Sequence, residues 1–180
     1  RRFKEPPGAE FVEVGLRLSS ALLMAAKGSR AQAVSRTLLA EGQLEPGAVQ
    51  EIRRNIIKAY IAQGLIADAE IAAQRYQLEY APDETSWQLM RARIALAGHR
   101  PKDAVSQLIG AESYAAQLWR AYAEWRSGAL PIDLAMTRLD AVLIPAELVE
   151  LESTRQAMVA EVASEVGYAR LRVGAIEYLL

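Results

Sequence analysis

Cysteine is absent from this chain and histidine occurs once. The first absence removes disulfides, thiolate metal sites and thiol nucleophiles together. The second leaves His99 without the ligand set that zinc requires, and its setting in Gly98-His99-Arg100-Pro101 reads as a surface turn. Neither sign of charge dominates. A formal net charge of -1 provides no overall attraction to nucleic acid or to an anionic membrane. Apolar runs are short as well: none reaches the roughly 18 residues that a spanning helix needs, so no membrane span is expected. Phosphate-cradling loops, a G-x-G-x-x-G turn, a G-x-S-x-G elbow and a calcium loop are all missing. Those absences together disfavour the common nucleotide-, dinucleotide- and metal-dependent enzymes, so neither a catalytic residue nor a cofactor is expected.

What remains is helix. With 180 residues, 52% apolar and 24% charged, the chain has enough apolar surface for a sizeable core. Alanine is its commonest residue, Leu, Glu, Gln and Arg are plentiful, and alternating β-branched runs are lacking. The run Ala141-Val142-Leu143-Ile144 could pass for a strand but is more simply the apolar end of a helix. Pro46, Pro101, Pro131 and Pro145 each precede a periodic apolar stretch, where the missing N–H has no intrahelical partner to lose. Pro82 ends one helix and Asp83 offers a cap to the next. The expected helices lie near 9–27, 30–41, 47–63, 66–80, 83–97, 101–110, 112–127, 131–142 and 146–180. Glycine recurs at Gly28, Gly64, Gly98 and Gly128, separated by 36, 34 and 30 residues, each expected to close one helix before the next begins. A period in that range signals stacked helical hairpins. The chain opens on Arg1 rather than Met, and therefore reads as a piece of something longer.

The second hairpin carries a family resemblance. Lys58-Ala59-Tyr60-Ile61-Ala62-Gln63-Gly64-Leu65-Ile66-Ala67-Asp68-Ala69, followed by Tyr80-Ala81-Pro82, resembles a tetratricopeptide repeat (TPR). In that family a Tyr and a small residue pack at the end of the first helix, a Gly turns the chain, an Ala admits the second helix, and a Pro ends the unit. Here those places are Ala59, Tyr60, Gly64, Ala69 and Pro82, with the Pro one residue late. Trp87 and Gly98 stand at the family's Trp and turn Gly in the next unit, and Ala104 comes one residue late. Gly28 and Ala33 are correctly spaced in the first unit, but Arg17 and Met24 occupy its aromatic positions. In the fourth, Glu124 replaces the aromatic and the step from Gly128 to Ala135 is two residues too long. The resemblance spans residues 14–142.

What the resemblance implies is an all-α, TPR-like solenoid of about four hairpins whose first helices line a concave groove for an extended peptide or a partner helix. The family's concave positions fall here on Arg54, Lys58, Gln88, Tyr122, Trp125 and Arg126. Cations hold carboxylates and aromatics supply flat apolar contact, so this set suits a peptide grip. Plainer readings stand beside it. Arg54 and Lys58 are also an i, i+4 pair on a solvated face, and Tyr114, Leu118, Tyr122 and Trp125 form a stripe of the kind that builds a core.

From Pro145 onward the pattern changes. Apolar residues at Leu148, Leu151, Met158, Val162, Val166, Ala169, Val173, Ile176 and Leu180 follow spacings of threes and fours, interrupted by Arg155. One continuous helix would extend about 50 Å. Such a stripe can pair with a second chain, making a homo-oligomer, or break at Gly167 into a fifth hairpin. The expected organisation is a hairpin array over 1–145 and a long helix over 146–180.

Glu112-Ser113 and Glu152-Ser153 resemble the Glu-Ser pair of lytic transglycosylases, but neither is followed by that family's Gly-Leu-Met-Gln-like stretch. Those enzymes also carry an Ala-rich superhelical domain ahead of the catalytic part, and this chain can be read as a piece of one. Basic residues at Arg53-Arg54, Arg91 and Arg93, Arg100 and Lys102, and Arg170 and Arg172 are spread among acidic neighbours, so no nucleic-acid partner is expected. The leading expectation is a non-catalytic scaffold for a protein or peptide partner. An Ala-rich, Cys-free chain suits a bacterial envelope assembly, and either cytoplasm or periplasm would accommodate it.

Overall fold

The computed structural model describes residues 8–41 and 44–179, with side chains over 10–40 and 44–165. Among the described residues there are nine helices and no strand: α1 Ala9–Met24, α2 Gly28–Glu41, α3 Pro46–Ala62, α4 Ile66–Tyr80, α5 Glu84–Ala97, α6 Pro101–Gln107, α7 Tyr114–Arg126, α8 Ile132–Ala141 and α9 Val149–Leu179. The chain divides between Gly98 and His99 into two compact units, so the third of the four glycine turns is the junction.

In the first unit each helix packs on its successor, and α1 also meets α3, as α3 meets α5. Small residues set the spacing. Gly15 and Ser19 of α1 are buried against Ala31, Ser35 and Leu38 of α2, and the two serine hydroxyls lie 3.0 Å apart. Gly28, the first residue of α2, lies against the end of α3: a Cβ there would sit 2.9 Å from the Ala59 carbonyl oxygen. Beyond α3 the core gathers Ile57, Ala69, Ala73, Tyr76 and Ile94, with Tyr60, Tyr80 and Trp87 packed around them. Asp83 caps α5, its carboxylate accepting from the Ser86 N–H at 2.9 Å. The Ser86 side chain first, and this backbone bond after it, hold the Asp83 carboxyl below its ordinary value.

The glycines fill their expected role at two turns. Gly64 and Gly128 take left-handed φ of 71° and 77°, and the Leu65 and Ala129 N–H groups donate back to the carbonyls of Tyr60 and Glu124. At the other two turns the left-handed residue is Ala26 (φ 54°) or His99 (φ 57°), while Gly28 has moved inside α2 and Gly98 keeps φ −83°. Ala26 makes the same return bond, Lys27 N–H to Leu22 carbonyl at 2.8 Å, but carries a Cβ that the conformation disfavours. Ala81, after α4, is left-handed too, at φ 40°. Ala26→Gly and Ala81→Gly are each expected to raise stability by roughly 0.5–1 kcal/mol, read as a higher urea midpoint at unchanged slope. A lowered midpoint would mean that the alanine methyls pack more strongly than the backbone is strained.

In the second unit α7 packs against α6, α8 and α9, and α8 against α9. Leu108, Ala116, Leu118, Leu139 and Val162 are fully buried. The backbone of α9 is helical through Gly167 to Leu179. Of its apolar stripe, Met158 and Val162 are buried, and the side chains from Val166 onward lie outside the described residues. Arg155, which interrupts the stripe, is bridged to Asp140 of α8 at 3.1 Å and to Glu152 at 2.7 Å. Its hydrogen bond holds the Glu152 carboxyl below the ordinary value.

Candidate binding surfaces

The six candidate residues fall three to each unit. Arg54 and Lys58 stand one turn apart on α3; Arg54 is exposed and Lys58 half-buried. Gln88, half-buried, is on α5, which packs against α3. Next to it Trp87 closes the core cluster, and the Arg91 guanidinium lies 5.9 Å from the Trp87 ring centre.

Tyr122, Trp125 and Arg126 share α7, and their chemistry is already in use. Tyr122 is buried, its ring 6.1 Å edge-on from Trp119 and 5.6 Å from Trp125. Its hydroxyl donates to Glu161 Oε2 of α9 at 2.7 Å, and Arg126 Nη1 donates to Glu161 Oε1 at 2.6 Å and to the Tyr122 oxygen at 3.2 Å. Burial first, then the Glu161 carboxylate, pushes the Tyr122 phenol up to about 12. One turn of α7 thus clasps a carboxylate presented by a helix. Glu161 escaped the sequence reading, although it stands between Met158 and Val162 of the apolar stripe, where a flanking carboxylate faces whatever the stripe packs on.

An open cleft of about 540 Å³ lies in the second unit, lined by Gly110, Glu112, Gln117, Arg120, Arg138 and Val142 among others. Glu124, beside the cleft, reaches both of its guanidiniums, Arg138 at 2.5 Å and Arg120 at 4.0 Å, so the two lining cations are already paired with a carboxylate of α7. The two Glu-Ser pairs have structural contacts here: Ser113 caps α7 by accepting from the Ala116 N–H at 3.2 Å, and Glu152 holds Arg155. Among the described residues no group of three or more His, Asp or Glu side chains is arranged to hold a metal ion, and no helix is long and apolar enough to cross a membrane. Comparison with protein-family models, with curated proteins and with solved structures finds no match.

Proposed function

We propose that this chain is a non-catalytic, TPR-like scaffold that binds an acidic peptide or partner helix across α3 and α5. The supporting observation is the clasp on α7, where residues one helical turn apart hold a helix-borne carboxylate through two charge-assisted bonds. A comparable polar set stands on α3, where Arg54 is open to solvent one turn before Lys58, with Gln88 on the adjoining α5. Since Tyr122 and Arg126 are engaged by Glu161 and Trp125 packs on Tyr122, the anchor for an outside partner in this reading is the exposed Arg54, with the half-buried Lys58 and Gln88 as further contacts.

Capture from bacterial extract with the intact chain and with an Arg54→Glu/Lys58→Glu variant tests this. The expected result is a protein partner retained by the first bait and lost by the second. Arg54→Glu alone should leave melting nearly unchanged, since Arg54 is exposed and surface substitutions away from packed features cost within about 0.5 kcal/mol, and helicity and melting of the double variant establish that it folds. The same partners on both baits would remove the α3 surface from the function. Equal retention of peptidoglycan by both would favour the accessory superhelical domain of a lytic transglycosylase.

A further inference from the structure

Helix α1 is apolar around more of its circumference than its neighbours cover. Gly15 and Ser19 mark the side buried in the first unit. Away from it, Phe11, Val14, Leu18, Ala21 and Ala25 all lie exposed, with Phe11 at 42%, Val14 at 58% and Leu18 at 48%. Their spacing of 3, 4, 3 and 4 residues is that of a two-helix seam.

We propose that this seam is a self-association surface on which α1 pairs with the α1 of a second copy, antiparallel, with Leu18 near the two-fold axis. Two features of the helix suit that partner. Side-chain bulk falls along the seam from Phe11 and Val14 to Ala21 and Ala25. A parallel pair would crowd one end and leave the other hollow, whereas an antiparallel pair lays the bulky end of each copy over the small end of the other. Charge follows the same symmetry. Glu10 flanks the first turn of the helix and Lys27 follows its end, both exposed, so the antiparallel arrangement brings opposite signs together and the parallel one sets Glu10 against Glu10. Arg17, midway along, is neutralised in its own chain by Glu13 at 2.5 Å.

A helix face of this length covers roughly 500 Å² per copy, or about 1,000 Å² in total, the low end for a specific interface. The dimer should therefore be concentration-dependent, with a dissociation constant on the order of 10–100 µM.

Sedimentation velocity on the full chain across the micromolar to low millimolar range, with Leu18→Glu and Val14→Glu beside it, is the test. Both positions are largely outside the core, and helicity and melting of each variant establish that it folds. The expected result is a dimer that both substitutions abolish. Orientation is read by oxidative cross-linking, because engineered thiols are the only ones in this chain. Leu18→Cys should cross-link to itself, and Phe11→Cys should cross-link to Ala25→Cys but poorly to itself. A chain that stays monomeric throughout, a dimer indifferent to folded Leu18→Glu and Val14→Glu, or efficient self-linking of Phe11→Cys would each overturn the proposal. None of these outcomes bears on Arg54 or Lys58, so the scaffold reading stands or falls separately.

Discussion

Gly28→Val is expected to destabilise the first unit by about 3 kcal/mol or more, and Gly28→Ala by about 2, the upper range for overpacking a core. A Cβ at this position would stand 2.9 Å from the Ala59 carbonyl oxygen and 3.0 Å from both Ala62 Cβ and Gln63 Cγ. Ala59 is fully buried in α3, and its carbonyl already accepts from the Gln63 N–H at 3.2 Å and from Gln63 Nε2 at 3.0 Å. Relief therefore requires α2 to move off α3, which also strains the Gln63–Gln32 side-chain bond of 3.2 Å. Gly15 supplies the control. The three atoms nearest its Cβ would be the end of the Leu38 side chain, at 2.6 to 3.1 Å, rather than backbone, and a mid-helix Gly→Ala exchange itself gains up to about 1 kcal/mol. Gly15→Ala should accordingly cost about 1 kcal/mol or less. Hydrogen exchange resolved to peptides of α1–α5 reads both variants. Equal losses, or a Gly28→Val variant as protected as the parent, would show that the α2–α3 approach is not this tight.

How much of this was legible in the sequence depends on the range of the interaction. Helix existence and most ends follow from local chemistry: Pro46 and Pro101 open α3 and α6, and Asp83 caps α5. The glycine period located the turns within a few residues, but it could not separate two demands that both remove a Cβ. Gly64 and Gly128 are glycine because the backbone is left-handed, whereas Gly28 leaves room for another helix. Left-handed alanine at Ala26 costs only about 1–2 kcal/mol, small enough for packing to override. The candidate site divides along the same line. Family spacing placed Arg54 on an open face of α3, a property set by the helix period. That Tyr122 and Arg126 would meet Glu161 is a contact across 35 to 39 residues, and nothing local encodes it. Arg155 is the intermediate case: its interruption of a stripe was visible, but its partner on α8 was not.

Tyr122→Ala is expected to cost the second unit about 3–4 kcal/mol, the range for removing a buried aromatic. The ring packs between Trp119 and Trp125, and its hydroxyl is one of two donors holding Glu161. Tyr122→Phe keeps the ring and deletes the donor. Its cost should be about 1 kcal/mol, because Glu161 retains Arg126 and is itself partly in water. A double-mutant cycle of Tyr122→Phe with Glu161→Gln should give a coupling of about 0.5–1.5 kcal/mol. The pH dependence has a definite sign. In the folded chain the phenol is raised from 10.0 to about 12, so the folded state binds its proton more tightly than the unfolded state does. The hydroxyl's contribution is thus complete below the ordinary tyrosine range and lost as pH rises from about 10 towards 12. The stability advantage of the parent over Tyr122→Phe should shrink across that interval, and one tyrosinate should appear late in an alkaline absorbance titration and vanish in the variant. If no tyrosine titrates late, or the advantage holds unchanged to the top of the range, then Tyr122 does not donate to Glu161 and α9 is held in the second unit by its buried Met158 and Val162 without the clasp.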